Sequence, residues 1–462
     1  MPPCRNKNSC LESTRDIQNA MFKRTQLDSP TRPLRSPRGA HVLAVLLYVG
    51  FSAITMTVPA DTGPDAQPME LEDLVQEMRL HNPQMEQALQ NYLAAKAVVP
   101  QVLAPSNAQI GFIENPVPNS PFNIGKSQGF NYTLTQPFPF PGKKNLAGSI
   151  AQDQADIAYV QTSNLYNQLL AQLKNAFYQY LLLNNQLEVS HDNIQRLEQI
   201  KGIAKIRYAN NAAAYVDYLN AQVAQSSAQN DQFATQRQID TVRETINTMI
   251  GRNPTTPLTL KGEIPTSRLP KKPLQEVEGM ALDNHPSVKA ASLQVKAAQT
   301  GVSLARLNYL PDFQVVLTAI SDKPPSGFRQ VSNYGVEFDV ILPTWLLNKE
   351  RGGLDQANAN LLASRAGNTA TRQQVMLNVD ASYNALAQAV NQVNFIRSKQ
   401  LLEAKTAYRL ALTNYSAGGM SFSDMLLAQS NLRNTELALI QAQNNSVQAY
   451  TTLTAAVGTN IE

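Results

Sequence analysis

Three groups of residues in this 462-residue chain have types and spacings that could do chemistry. Gly142-Lys143 resembles the end of a phosphate-binding loop, but Pro137 stands where its first glycine belongs and Lys144 replaces Ser or Thr, so nucleotide binding is not expected. His81, His191 and His285 lie in unrelated segments without ligand spacing, and Met78 and Met85, seven apart on one helical face, suit packing better than copper ligation. No metal site, cofactor or Ser/His/Asp constellation is expected, and the chain reads as no enzyme. Asp217 and Asp424 differ because they stand 207 residues apart in matching surroundings. Taken singly, each is a solvated helix residue near a turn. Their recurrence makes them a candidate site.

That offset runs through most of the chain. Gly129-Phe130-Asn131-Tyr132-Thr133-Leu134 returns as Gly335-Val336-Glu337-Phe338-Asp339-Val340, 206 residues later. Pro137 and Lys143 return as Pro343 and Lys349; Tyr208, Asp217, Leu219, Ala221 and Gln222 return as Tyr415, Asp424, Leu426, Ala428 and Gln429; Ile250-Gly251 returns as Val457-Gly458. A fixed offset across dissimilar local patterns means one structural unit used twice. The unit is far longer than a solenoid repeat, so the chain is a duplicated half-domain with pseudo-symmetry.

Composition and the leader narrow the class. Charged residues make up 16% and aromatics 7% of the chain, and the bulk is Ala, Gln, Asn and Leu, which suits long helices with a thin apolar stripe. Residues 1–60 read as a secretory signal. Eight Lys/Arg against three acids in residues 1–40 precede an apolar run from His41 to Ile54, and Val58-Pro59-Ala60 offers a cleavage site. Met21 is an alternative start that keeps Lys23, Arg24, Arg32, Arg35 and Arg38. Without the leader the chain holds 31 Lys/Arg and 32 Asp/Glu, so nucleic acid is not an expected partner. Cys4 and Cys10 leave with it, which excludes disulfides, thiolate sites and cysteine nucleophiles from the exported part.

The elements that must position the aspartates follow one order in each copy. The first repeat spans 61–251 and the second 274–462, joined by a linker over 252–273 that is rich in Pro, Thr and Lys. Each opens with a helix, about 70–102 and 274–308, which Asn82-Pro83 and His285-Pro286 kink or restart. Strands follow within about 107–136 and 313–342; the clearer second strand of each copy alternates with period two, apolar at Phe130, Tyr132 and Leu134 and at Val336, Phe338 and Val340. Residues 144–207 and 350–414 lack proline and predict helices of roughly 95 Å at 1.5 Å per residue. Leu169, Leu173, Phe177 and Tyr180 form a coiled-coil-like stripe, matched by Val375, Val379, Tyr383 and Leu386. Returning helices cover about 214–250 and 421–457, after turns at Ala209-Asn210-Asn211-Ala212 and Ser416-Ala417-Gly418-Gly419. Asn211 and Gly418 are equivalent, and both types tolerate the left-handed backbone that ends a helix.

Fold class follows from strand chemistry. Strands of eight to ten residues, apolar on one face and polar on the other, fit lipid outside and water inside. Four cannot close a transmembrane barrel, whereas three copies would supply twelve strands with a helical tube continuing from them. The expected fold is mainly α with a transmembrane β-barrel, each repeat giving two strands and a long helical hairpin. Glu337 and Asp339 must then face the lumen. Trp345, Phe138 and Phe140 could form an aromatic belt or pack at the barrel-to-tube junction. A small sheet on a soluble helical body is the competing architecture.

At this point the chain resembles the TolC-type outer-membrane efflux family over residues 70–460. The resemblance rests on Tyr208 with Asp217-Tyr218-Leu219-Asn220-Ala221, and on Tyr415 with Gly418 and Asp424-Met425-Leu426-Leu427-Ala428. Gln136-Pro137-Phe138-Pro139-Phe140-Pro141-Gly142-Lys143 is similar to the strand-to-helix junction of the family's heavy-metal branch, the cobalt–zinc–cadmium and copper–silver exporters. The resemblance implies a homotrimer in outer-membrane lipid, with a long periplasmic α-helical barrel, passively conducting substrate from an inner-membrane pump of the RND type through a periplasmic adaptor. It implies a gate at the tips, with Asp217 linked to Tyr415 and Asp424 forming a ring of three acids that concentrates cations. Asn210, Asn211, Gly418 and Gly419 would meet the adaptor. Leu427 and Met420 replace a second ring aspartate and a linking arginine, so the gate must be held differently. Metal cations are the first expected cargo and organic toxicants or drugs the second; a soluble periplasmic coiled-coil adaptor or scaffold is the alternative from another class.

Overall fold

A computed structural model describes residues 68–114, 129–322, 330–342 and 348–461, all within one compact unit, Pro64–Glu462. The expected leader, Trp345 and most of the loops between paired strands lie outside the described residues.

The first helix of each repeat is two helices. In the first repeat α1 spans Leu71–His81 and α2 spans Pro83–Leu103. Proline lacks an N–H and forces the preceding residue out of the helical region, so Asn82 is extended (ψ 122°) and the helix restarts rather than kinks. Asn82 caps the restart: its Oδ1 accepts from the backbone N–H of Gln84 at 2.8 Å and of Met85 at 3.2 Å. Its Nδ2 donates to Met249 O at 2.8 Å.

Strands β1 (Gln109–Glu114) and β2 (Gly129–Phe138) follow, then α3 (Lys143–Ala209) and α4 (Tyr215–Met249). The second repeat has the same order: α5 (Leu274–Asn284), α6 (Pro286–Leu307), β3 (Asp312–Asp322), β4 (Gln330–Ile341), α7 (Asn348–Phe395), a π-helical turn at Ile396–Gln400, α8 (Leu401–Ala417) and α9 (Phe422–Val457). His285 takes the role of Asn82, its Nδ1 accepting from Ser287 N–H at 3.2 Å, and burial pushes its pKa down, which favours the neutral ring this bond requires.

The π turn explains why the repeat offset changes. Leu169 and Phe177 match Val375 and Tyr383 at 206, but Tyr208 matches Tyr415 at 207. One residue has been gained between them in the second copy. The helix absorbs it by widening a single turn at Ile396–Gln400, whereas α3 runs unbroken.

The strands form one antiparallel sheet in the order β1-β2-β3-β4, so the two repeats meet at β2 and β3. Register decides which side chains share a face. Leu134 pairs with Ile110 and Leu317, and Leu317 pairs with Val336. Tyr132 pairs with Phe112 and Ala319, and Ala319 with Tyr334. One face is therefore apolar across all four strands, interrupted by Gln136 near the end of β2, and its outermost members are widely exposed (Tyr334 81%, Phe338 76%). The opposite face carries Asn131, Thr133, Thr135, Gln314, Thr318, Glu337 and Asp339, interrupted by Ile113, Val316 and Ile320. Glu337 and Asp339 sit on the polar side, as a lumen requires, and Gln314 Nε2 donates to Asp339 Oδ2 at 2.6 Å.

Two matching cores lie beside the opening helices of the repeats. Leu169, Leu173 and Phe177 pack with Leu74, Met78 and Met85 of the opening helices; Val375, Val379 and Leu386 pack with Val277, Ala281 and Val288. Met78 and Met85 are thus packing residues. In each repeat a left-handed glycine after the returning helix lies against the joint of the opening helices. A Cβ on Gly251 would stand 2.3 Å from His81 O, and one on Gly458 would stand 3.1 Å from His285 Cα. That close approach is why Ile-Gly and Val-Gly recur.

Next to the sheet, α2 packs on α3, α3 on α6, and α6 on α7. Toward the tips the order becomes α4, α3, α9, α8. Each layer therefore ends in elements from opposite repeats: β1 and β4, α2 and α7, α4 and α8. Among the described helices of these two layers, large exposed apolar residues concentrate on the outer ones, including Val98, Val223, Phe233, Leu362, Leu377, Leu402 and Leu410. Helix α6 has none, and α3 and α9 have them only near the tips. No described helix is long and apolar enough to cross a membrane.

Candidate functional site

The site is built where the two hairpins turn. Helix α3 ends with Asn211 N–H donating to Tyr208 O at 2.9 Å and Ala212 N–H to Arg207 O at 2.8 Å. Helix α8 ends identically, Gly418 N–H to Tyr415 O at 3.1 Å and Gly419 N–H to Asn414 O at 2.9 Å. Asn211 (φ 57°) and Gly418 (φ 87°) hold the left-handed position in each. Asn210, Asn211, Gly418 and Gly419 are all exposed.

Below the turns the copies diverge. In the first tip Tyr208, Tyr215 and Tyr218 contact one another in series, with ring centroids 5.1 and 5.7 Å apart, and Tyr208 and Tyr215 are about half exposed. In the second, the matching residues Tyr415, Phe422 and Met425 are buried together with Leu197, Ile200 and Ala204 of α3. The second hairpin is keyed into the first through Tyr415.

Arg207 locks that key. Its Nη1 donates to Tyr415 O at 2.5 Å, its Nη2 to Ala212 O at 3.0 Å, and its guanidinium lies 4.5 Å from the centroid of the Tyr415 ring. Burial pushes the Tyr415 phenol up and the nearby Asp217 carboxylate adds to this, partly offset by Arg207. The structure brings Asp217 and Tyr415 together, but among the described residues the buried Tyr415 hydroxyl makes no hydrogen bond of normal geometry. Asp424 lies elsewhere. It is exposed at the start of α9, where Ser421 Oγ donates to its Oδ2 at 2.7 Å and accepts from its N–H at 3.1 Å. Its carboxylate closes a helix cap, while Asp217, preceded by Ala214, has no such partner.

Sequence reading missed the polar seam that joins α3 to α9. Arg196 makes a largely buried ion pair with Glu436 at 2.9 Å; Asn193 accepts from Gln429 Nε2; Asn444 Nδ2 donates to Gln179 Oε1 at 3.2 Å. A signal existed in the departures from the repeat, since Arg196 and Arg207 match Glu403 and Asn414. Lys143 has a structural role too. Its Nζ pairs with Asp312 at 2.7 Å, and the same Asp312 oxygen accepts from Phe140 N–H at 2.7 Å, so the first copy's junction is tied to the start of β3. Phe140 packs on Phe313 there, while Phe138 is exposed on the apolar face of the sheet. Among the described residues no cluster of three metal-binding side chains occurs.

Comparison with known proteins finds that the model of the outer membrane efflux protein family matches residues 74–252 and 278–459, one match per repeat. The chain belongs to the outer membrane efflux protein family. It is similar to the cobalt-zinc-cadmium resistance protein CzcC of Cupriavidus metallidurans, 21% identical over 322 residues that cover 70% of this chain and 75% of that one. It is also similar to the nickel-cobalt-cadmium resistance protein NccC of Alcaligenes xylosoxydans xylosoxydans, 23% identical over 326 residues covering 69% and 70%. Among solved structures it matches CusC, a protein described as forming a transmembrane channel, with a TM-score of 0.74, 15% identity and coverage of 84% and 92%. Fold and family are those of outer-membrane efflux channels rather than enzymes. The strands belong in the outer membrane and the long helices in the periplasm. The soluble scaffold of the sequence alternatives falls away.

Proposed function

We propose that three copies of this efflux channel close into a twelve-stranded barrel continued by an α-helical tube, and that the assembly is the exit duct of a tripartite exporter of metal cations. The observation that carries this reading is the unfinished edge. A sheet with an apolar and a polar face ends in β1 and β4, which have no outer neighbour among the described residues, and the outer helices leave large apolar residues exposed. Edge strands and apolar faces of that size need covering. A further copy supplies the complementary edge at every level, and twelve strands lie within the range of known transmembrane barrels.

Metal cargo is supported by the resistance proteins the chain resembles and by its junction segment, Gln136–Lys143. An RND-type pump would deliver substrate through a periplasmic adaptor docked at Asn210, Asn211, Gly418 and Gly419. Specificity would rest with the pump, since a duct wall meets its cargo only in passing. Outer-membrane fractions should contain the protein, and its hydrodynamic mass in detergent should equal three chains. Recovery from the soluble periplasm, or another stoichiometry, would end the proposal. A deletion strain should lose resistance to divalent metals; sensitivity to antibiotics alone would reassign the cargo to organic compounds.

In the assembled tip, Asp217 and Tyr415 would gate the entrance and three Asp424 side chains would gather cations. Asp424→Ala should raise single-channel conductance or weaken block by trivalent cations. Loss of helix stability with unchanged conductance and block would confine Asp424 to the cap it forms with Ser421.

A further inference from the structure

The two repeats cap the same joint with different chemistry. In the first, Asn82 closes the start of α2 with two accepted hydrogen bonds, and Glu86 in the first turn suits the positive end of the helix dipole. An amide side chain does not titrate, so that cap holds across the physiological pH range. In the second, His285 closes the start of α6 with a single accepted bond, from Ser287 N–H to Nδ1 at 3.2 Å, and no acid stands in the first turn. That bond needs the lone pair of Nδ1, hence a neutral ring with its proton on Nε2. We propose that His285 is an acid-sensitive latch, whose protonation removes the cap and frees the first turn of α6 while the matching turn of α2 stays closed.

Protonation acts twice at this place. Nδ1 becomes a donor facing the donor N–H of Ser287, and a positive charge arrives at the end of the helix whose dipole repels it. The freed turn is part of the core. Val288 packs in one cluster with Val277, Leu453 and Val457, and a Cβ on Gly458 would stand only 3.1 Å from His285 Cα. Fraying at Ser287 therefore loosens α6 from α5 and from the end of α9. The charged and titratable groups on the elements packed around the joint are Glu278 and Asp283 on α5, Lys289 on α6, Asp380 and Tyr383 on α7, and Tyr450 on α9. Helix α3 has no charged residue between Asp156 and Lys174. None of these groups sets the titration of His285, which burial alone pushes down. The sign follows from that direction. A ring that binds its proton less readily when folded gives the joint full stability above the ordinary imidazole value of 6.5, and gives it up as pH falls from there toward the lowered folded-state value. His81, beside the first joint, behaves differently: it is exposed, 3.8 Å from Glu77, and its protonation strengthens a contact.

Hydrogen–deuterium exchange on the detergent-solubilised full chain tests the latch, with rates corrected for the intrinsic pH dependence of amide exchange. From about pH 8 to about pH 5, protection of Ser287, Val288 and Lys289 should fall about fivefold, the effect of one lost N-cap, with a midpoint below the ordinary imidazole value. Gln84 and Met85, at the matching turn, should keep their protection over the same range. His285→Asn installs the cap of the first repeat and should hold the second joint closed at both ends of the range, as should His285→Asp. Equal protection of Ser287 at both ends in the wild-type chain would overturn the latch, whether or not either variant folds. The same loss of protection in a folded His285→Asn chain would overturn it too, by showing that another group responds to the acid.

Discussion

Arg207→Ala is expected to make the resting tips leak. Wild-type Arg207 joins α3 to Tyr415 of α8 through a carbonyl hydrogen bond and a ring contact, and it pins its own turn through Ala212. A hydrogen bond from a charged donor contributes about 1.5–3 kcal/mol and a cation–π contact about 0.5–2 kcal/mol. Arg207 is only half-buried, so roughly 2 kcal/mol is a fair total after screening, or about a 30-fold shift in the balance between keyed and released tips. Removing it lets α3 and α8 part at the tip of each chain. Single-channel recordings should show a several-fold rise in resting conductance, and Arg207→Lys should fall between, because an ammonium keeps charge without the planar fork. Unchanged conductance in a correctly assembled variant would mean that the clamp stabilises the fold and has no part in the gate.

Two adjacent residues of β4 should give opposite results. Val336 is near the middle of the strand on the apolar face, paired with Leu317, while Glu337 is on the polar face, paired with Val316. A lysine facing lipid near the bilayer midplane costs about 2–4 kcal/mol, so three copies of Val336→Lys accumulate about 6–12 kcal/mol against insertion. That variant should disappear from the outer-membrane trimer fraction. Glu337→Lys places its charge in water and should assemble normally, but with reduced preference for cations in reversal-potential measurements. Equal assembly of the two variants would show that the apolar face does not meet lipid.

Much of this was legible in the chain because it is local. Period-two alternation at Phe130, Tyr132 and Leu134 marks a strand with two unlike faces, and the absence of proline from 144–207 permits one uninterrupted helix. Asn211 and Gly418 were readable as left-handed positions because few residue types tolerate that backbone. Pro83 and Pro286 showed where the opening helices falter, but whether they kink or restart depended on the extended backbone and caps at Asn82 and His285. The one-residue change in offset was visible as well. Its resolution into a π turn at Ile396–Gln400 was not, because a loop elsewhere would leave the same count.

By itself, the sequence determined the duplication, the element order, the faces of the strands and the family resemblance. All of these are carried by spacing along one chain. Only the tertiary structure decided that β2 meets β3, that α3 meets α9, and that Arg207 reaches Tyr415 across 208 residues. Such contacts depend on which surfaces lie against each other after folding, and pairing rules along a single helix or strand do not encode them. The two aspartates show both levels: Asp424 closes a cap with Ser421 where the first copy has Ala214, a local difference carried by the sequence, while only the fold brings Asp217 beside the buried Tyr415 phenol.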